Sequence, residues 1–228
     1  MSVVAITSTN LESAYLYVQI LESMGAITKV MTPHDNGTLN NQLNNASAIL
    51  LTDGPNVFGS TEYTKRQTPD SETIRKDQDE FELNVTRKAL ALDLPILAIG
   101  RGLHILNMCQ GGKPPQQVTR HSENCSDTGK NLSHTIYLSP GAKASAVIGS
   151  AGFFRVNSNH TSGLREIQRS PKLMSTAYSI EDGIIEGLES PEHSWVIGLQ
   201  CNPELQDQVP RSFSNLFLAL VERSGVDQ

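Results

Sequence analysis

Residues 95–107 read Pro-Ile-Leu-Ala-Ile-Gly-Arg-Gly-Leu-His-Ile-Leu-Asn. A continuous apolar run of strand length ends at Gly100-Arg101-Gly102; Leu103, Leu106 and Asn107 then open a helix that Gly111-Gly112 stops. A strand turning this sharply into a helix belongs to an α/β framework, with the strand buried on both faces. In such folds the turn displays one side chain above the sheet on a strained backbone. The helix N-terminus favours negative charge, and the amide after the apex can donate to an oxyanion. Here the apex is Gly100 and the donating amide is that of Arg101. Glycine takes such backbone angles freely, where another residue is strained by about 1–3 kcal/mol. The lone Gly-Arg-Gly is no phosphate loop, since neither GxxxxGK[ST] nor GxGxxG is present.

The rest of the chain fits this framework. Val3–Thr7, Ile27–Met31 and Ala48–Leu51 are short apolar runs, and Leu11, Ala14, Tyr15, Val18 and Leu21 recur at helical spacing. Residues 53–67 read as a polar loop. Thr68-Pro69 is a cap and first residue for a helix with Phe81, Val85, Ala89 and Leu92 on one face. The acidic residues Asp53, Asp77, Asp79, Glu80 and Glu82 are expected on a solvated loop and helix face. In the second half, His134–Leu138, Phe154–Val156, Leu173–Tyr178, Ile184–Leu188 and Trp195–Gln200 crowd together, which points to hairpins or edge strands. Residues 113–131 read as a long polar surface loop. Phe213, Leu216, Phe217, Leu220 and Val221 line a last helix. The expected fold is α/β: a flavodoxin-like, mostly parallel sheet with helices on both faces plus extra antiparallel strands, in one domain over residues 1–228.

Composition narrows the function. Lys and Arg total 18 against 24 Asp and Glu, a net charge of −6, which argues against a nucleic-acid surface. No apolar run approaches the ~20 residues of a membrane helix, and the N-terminus lacks a basic, apolar leader. A cytoplasmic protein without membrane contact is expected. Cys109, Cys125 and Cys201 form no CxxC, as suits a reducing compartment. Cys109 and Cys201 are expected in the core and Cys125 in the exposed loop. His34, His121, His134 and His193 show no metal-ligand spacing, so neither a metal nor another cofactor is expected.

Several segments resemble, in order, the class I glutamine amidotransferase-like family in its gamma-glutamyl hydrolase branch. Residues 95–107 resemble P-I-x-x-I-C-R-G-x-Q-x-L-N, with Gly100 at the family's cysteine and His104 at its glutamine. Residues 51–57 (Leu-Thr-Asp-Gly-Pro-Asn-Val) resemble the loop after the third strand, which implies Gly54 as a second oxyanion donor beside Arg101. Asp79-Glu80-Phe81-Glu82 resembles the R-D-x-F-E helix start without its arginine. Val156-Asn157-Ser158-Asn159-His160 resembles the V-N-S-x-H pocket strand, implying substrate contacts from Asn157, Ser158 and His160. Residues 182–189 resemble D-G-x-I-E-G-x-E. Residues 198–204 resemble G-x-Q-W-H-P-E, with Asn202 at the histidine and Glu204 at the glutamate.

The resemblance implies a Cys–His–Glu triad in which cysteine attacks a glutamine or gamma-glutamyl carbonyl. By position that triad is Gly100, Asn202 and Glu204 here, so its standard chemistry is not possible: glycine has no nucleophile, and asparagine is no base near neutral pH. The leading expectation is a catalytically impaired homologue that binds a small glutamine-like or gamma-glutamyl ligand or regulates a partner, with a protein partner or a homodimer as the assembly. One alternative is an active hydrolase of gamma-glutamyl amide C–N bonds with a non-standard nucleophile such as Ser158. The other is a structural subunit of an amidotransferase-type complex.

Overall fold

The continuously apolar runs become the centre of the sheet. β1 (Val3–Thr7), β2 (Ile27–Met31), β3 (Ala48–Leu51) and β4 (Ile96–Ile99) form where the sequence predicts them. The computed structural model describes residues 3–33, 43, 45–55, 57, 69–119, 121–122 and 132–225, with the backbone alone for 69–75. Thr68, Cys125 and His34 lie outside the described residues.

Between β1 and β2 runs α1 (Leu11–Ser23), capped by Asn10, whose side chain accepts from the Ser13 amide. α2 (Pro69–Ala91) opens on the expected proline, and α3 (Arg101–Cys109) follows β4 directly. Then come β5 (Gln116–Gln117), β6 (Ser133–Leu138), α4 (Lys143–Ile148), β7 (Gly152–Asn157) and β8 (Ser162–Gly163). The chain continues through β9 (Met174–Ser179), β10 (Ile185–Glu189), β11 (Val196–Leu199), a short 3₁₀ turn and α5 (Asn215–Ser224). The main sheet has the order β2-β1-β3-β4-β11-β10-β9-β6-β7. The five strands β2-β1-β3-β4-β11 pair in parallel, and the other four join antiparallel. This is a flavodoxin-type half with antiparallel strands added at one edge.

Alternation along the strands divides the core into two layers. Val4, Ile6, Leu50, Leu97 and Ile99 pack with α1 and α5 on one face. Ala5, Ile49, Leu51, Ile96 and Ala98 pack with α2 and α3 on the other. At about 25 cal/mol per Å² of apolar surface, such two-sided burial is the main stabilising term.

Several expectations need correcting. The buried face of α1 is Ala14, Tyr17, Ile20 and Leu21, whereas Leu11 is 71% and Tyr15 61% exposed. Tyr17 turns inward on this face and its hydroxyl meets the Glu204 carboxyl at 2.7 Å. Leu92 lies beyond the end of α2 and is half-exposed. Residues 79–82 sit within α2, not at its start. The segment 113–131 is not loop throughout, since Gln116–Gln117 pairs with Ser162–Gly163. α4 carries no local cap: its first amides, Lys143 N and Ala144 N, donate to the Glu189 carboxylate at 2.7 and 2.8 Å. A cap supplied from so far along the chain leaves no local sequence signal.

Candidate functional site

The carboxyl ends of β3, β4 and β11 are neighbours, as the strand order requires. Just past them the chain brings together Asp53, Gly100, Asn202 and Glu204, with Tyr17 reaching in from α1. Gly100 has φ 53° and ψ −111°, the strained elbow expected of the apex. Nothing on Gly100 caps α3. Instead Asp53 Oδ1 accepts from the Arg101 amide at 2.9 Å, placing a carboxylate at the helix N-terminus. That amide is the oxyanion donor of the sequence reading, and it is engaged within the chain.

The network continues through Asn202. Its Nδ2 donates to Asp53 Oδ2 at 2.9 Å and to Glu204 Oε1 at 2.9 Å. The Tyr17 hydroxyl donates to the same Glu204 oxygen at 2.7 Å and accepts from the Asp53 amide at 3.4 Å. Asn202 thus stands between two acidic side chains, where two donor protons are needed and a ring nitrogen could serve one at most. Asn157 fixes it in place: Asn157 Nδ2 donates to the Asn202 carbonyl and Asn157 Oδ1 accepts from the Asn202 amide, both at 2.9 Å. Burial pushes the Glu204 carboxyl up to about 7, against the lowering effect of the Tyr17 and Asn202 donors. Burial, then the nearby Glu204 charge, raises the Tyr17 phenol well above its ordinary value, so it remains a donor.

The guanidinium of Arg101 is buried and ion-paired with Asp79 and Glu82 of α2. Asp79 and Glu82 were expected on a solvated face; only Asp77 and Glu80 are exposed there. A cleft of about 240 Å³ opens beside Arg101 and is lined by Asp53, Gly54, Pro55, His104, Ser122, Asn159, His160, Thr161 and Gln200. His104 lies 2.8 Å from Gln200 Oε1 through Nε2, and burial lowers its imidazole to about 3, so the ring is neutral.

The structure gathers Gly54, Arg101, His104 and His160 at the cleft, as the sequence suggests, while Asn202 and Glu204 stand behind it. Asn157 positions Asn202 and does not line the cleft. Ser158 is turned from the cleft too: its hydroxyl lies 2.9 Å from the His121 carbonyl and 3.3 Å from His121 Nδ1. Cys201 is buried in the core with its thiol raised well above the ordinary value by burial. Cys109 is half-buried against the Leu83 carbonyl. Two features escaped the sequence reading. Asp53 belongs to a polar segment that composition places in solvent, although Asp-Gly-Pro directly after a buried strand is a signal that marks it. His121, His134, His160 and Glu186 converge from four segments, so no spacing betrays them.

The chain is similar to several known proteins. A family model described as peptidase C26 matches residues 3–204. A glutamine amidotransferase-like protein of Rickettsia prowazekii is 24% identical over 253 residues, covering 91% of this chain and 87% of that protein. The gamma-glutamyl-gamma-aminobutyrate hydrolase of Escherichia coli K12 is 29% identical over 159 residues, 66% of this chain and 59% of its own length. The glutaminase domain of Trypanosoma brucei CTPS, solved with bound acivicin, matches at a TM-score of 0.70 over 98% of this chain and 94% of its own; at 11% identity the likeness is one of fold.

Proposed function

Since the chain belongs to the peptidase C26 family, we propose that it is a non-hydrolytic member whose cleft binds a glutamine-like or gamma-glutamyl ligand and acts as a sensor or regulator. The observation carrying this reading is the Asp53 carboxylate beside Gly100. A β-carbon built on Gly100 would lie within 3.0 Å of three Asp53 side-chain atoms. The space from which a nucleophile would act is therefore filled by an acceptor, and the Arg101 amide already serves that acceptor.

This changes the chemistry offered to a ligand. An oxyanion cradle presents donors to a carbonyl oxygen. Here Asp53, at the cleft wall, presents acceptor oxygens, so the ligand group facing it is an ammonium or amide N–H. Gln200 and Asn159 supply further polar contacts along the cleft. Relatives carrying gamma-glutamyl activity in their names support the ligand class.

The test is a thermal melt with glutamine, glutamate and gamma-glutamyl-GABA at millimolar concentration. Ligand at about 100 times its Kd stabilises by about 3 kcal/mol, a shift of several degrees. At least one ligand is expected to raise Tm, and Asp53→Ala is expected to abolish the shift. No shift with any of the three, or a shift indifferent to Asp53→Ala, would overturn the reading.

A further inference from the structure

A second polar cluster lies behind the cleft wall. His134 comes from β6, His160 from just past β7, Glu186 from β10 and His121 from the segment between β5 and β6. One donor atom from each lies within 4.8 Å of all the others. The rings pack at centroid distances of 4.6 Å (His121–His160), 4.9 Å (His121–His134) and 6.1 Å (His134–His160).

Glu186 is 1% exposed, and neither of its oxygens has a hydrogen-bond partner. His134 Nε2 comes to 3.1 Å and His160 Nε2 to 3.6 Å of Glu186 Oε1, but neither nitrogen makes a hydrogen bond. A buried carboxylate is held by well-made hydrogen bonds, by paired charge or by a metal. The hydrogen bonds are not made here, and among the described residues the charge facing Glu186 comes only from the two imidazoles, His134 and His160, at 3.1 and 3.6 Å.

The outer contacts point to the metal. His160 Nδ1 is 3.0 Å from the Ser162 carbonyl, which can only accept, so the proton sits on Nδ1 and the Nε2 lone pair faces the cluster. His121 Nε2 is 3.1 Å from Asp182 Oδ2, which leaves Nδ1 to face the cluster; the Ser158 hydroxyl, 3.3 Å from Nδ1, gives its proton to the His121 carbonyl. Carbonyl and carboxylate partners of this kind orient metal-ligating histidines.

We propose that His121, His134, His160 and Glu186 form a closed binding site for a single divalent transition ion, zinc above all. Three imidazoles and one carboxylate are donors of the right softness. A tetrahedral zinc ion with bonds of about 2.0–2.1 Å holds its ligand atoms roughly 3.4 Å apart. From separations within 4.8 Å, an ion would draw the cluster to that spacing by side-chain rotation and small shifts inward. Four protein ligands leave no open position, so the ion is structural and not catalytic. It ties the segment carrying His121 to β6 and β10. Because Ser122 and His160 also line the cleft, it fixes one wall of that cleft.

The test uses the full chain, stripped with a chelator and dialysed against zinc ions alone, with cobalt(II) as a spectroscopic probe. The expected result is one zinc ion per chain, a raised Tm and the intense visible spectrum of tetrahedral cobalt, which zinc then erases. His134→Gln and Glu186→Gln are expected to abolish stoichiometric binding. Asp182→Asn, outside the ligand set, is expected to weaken it about 10–100-fold, which a merely packed histidine cluster would not show. Should the ligand variants fail to fold, the unmodified chain and Asp182→Asn still decide. A stripped chain that takes up well under one equivalent, a cobalt spectrum without tetrahedral bands, or zinc affinity unchanged in Asp182→Asn would overturn the proposal. None of these readouts depends on what occupies the cleft.

Discussion

The Asp53 carboxylate lies where a side chain at residue 100 would begin: a β-carbon on Gly100 would fall closer than 3.0 Å to Asp53 Oδ1 and Cγ. The two residues are complementary. The absence of a side chain on Gly100 makes room for Asp53, and Asp53 takes over the amide that the elbow turns upward. Placing a cysteine at residue 100 therefore requires that Asp53 give way as well.

Gly100→Cys alone is expected to be destabilised by more than the about 1–3 kcal/mol of backbone strain at its positive φ, because Asp53 is expelled from its hydrogen bonds. In an Asp53→Gly background only the strain remains. Urea denaturation of the two single variants and the double variant should give a coupling energy of about 1–3 kcal/mol. Additivity to within about half a kcal/mol would show that the two residues do not share space.

Glu204 gives the protein a pH dependence of definite sign. Its folded carboxyl is raised to about 7 from an ordinary 4.5. Its favourable contribution is complete below the unfolded value and is lost as pH rises through about 7, as a buried negative charge is forced to form. The loss across that window is about 3 kcal/mol. Glu204→Gln keeps an oxygen to accept from Tyr17 and Asn202, so denaturation between pH 5 and 8 should lose this slope in the variant. An unchanged slope in Glu204→Gln would contradict the assignment.

Tyr17→Phe removes the hydroxyl 2.7 Å from Glu204 Oε1. A hydrogen bond to the ionised form is lost, so Glu204 should titrate at still higher pH. Stability should fall by about 1–3 kcal/mol at alkaline pH, less at acid pH. Equal losses at pH 5 and 8 would contradict the role given to Tyr17.

Arg101→Met leaves Asp79 and Glu82 buried without their cation. The expected cost is about 3–5 kcal/mol, visible as a large fall in the denaturation midpoint. A loss below about 1 kcal/mol, as for an exposed ion pair, would show that this trio is solvated after all.

The sequence makes the fold more legible than the site. Period-2 and period-3.6 patterns report burial, so β1 to β4, the elbow at Gly100 and the last helix are readable directly. Tyr17 breaks the pattern on α1 because its partner, Glu204, is 187 residues away. α4 is invisible for the same reason, its N-terminal amides being served by Glu189. Gly100, Asn202 and Glu204 are legible through ordered motif resemblance, and the structure does bring them to one point. What lies beside Gly100 is not legible. Asp53 belongs to a loop composition that ordinarily means solvent, and only the parallel pairing of β3 with β4 sets it over the elbow. The histidine cluster is hidden likewise, since sheet topology assembles it and chain spacing does not.

The most direct measurement follows glutamate release from glutamine and gamma-glutamyl-GABA by the purified chain over hours at neutral pH. The account predicts no release above buffer from the unmodified protein, because Asp53 fills the attacking position and Asn202 cannot take a proton. Catalysed release that travels with the protein through purification and disappears in Asp53→Asn would contradict it.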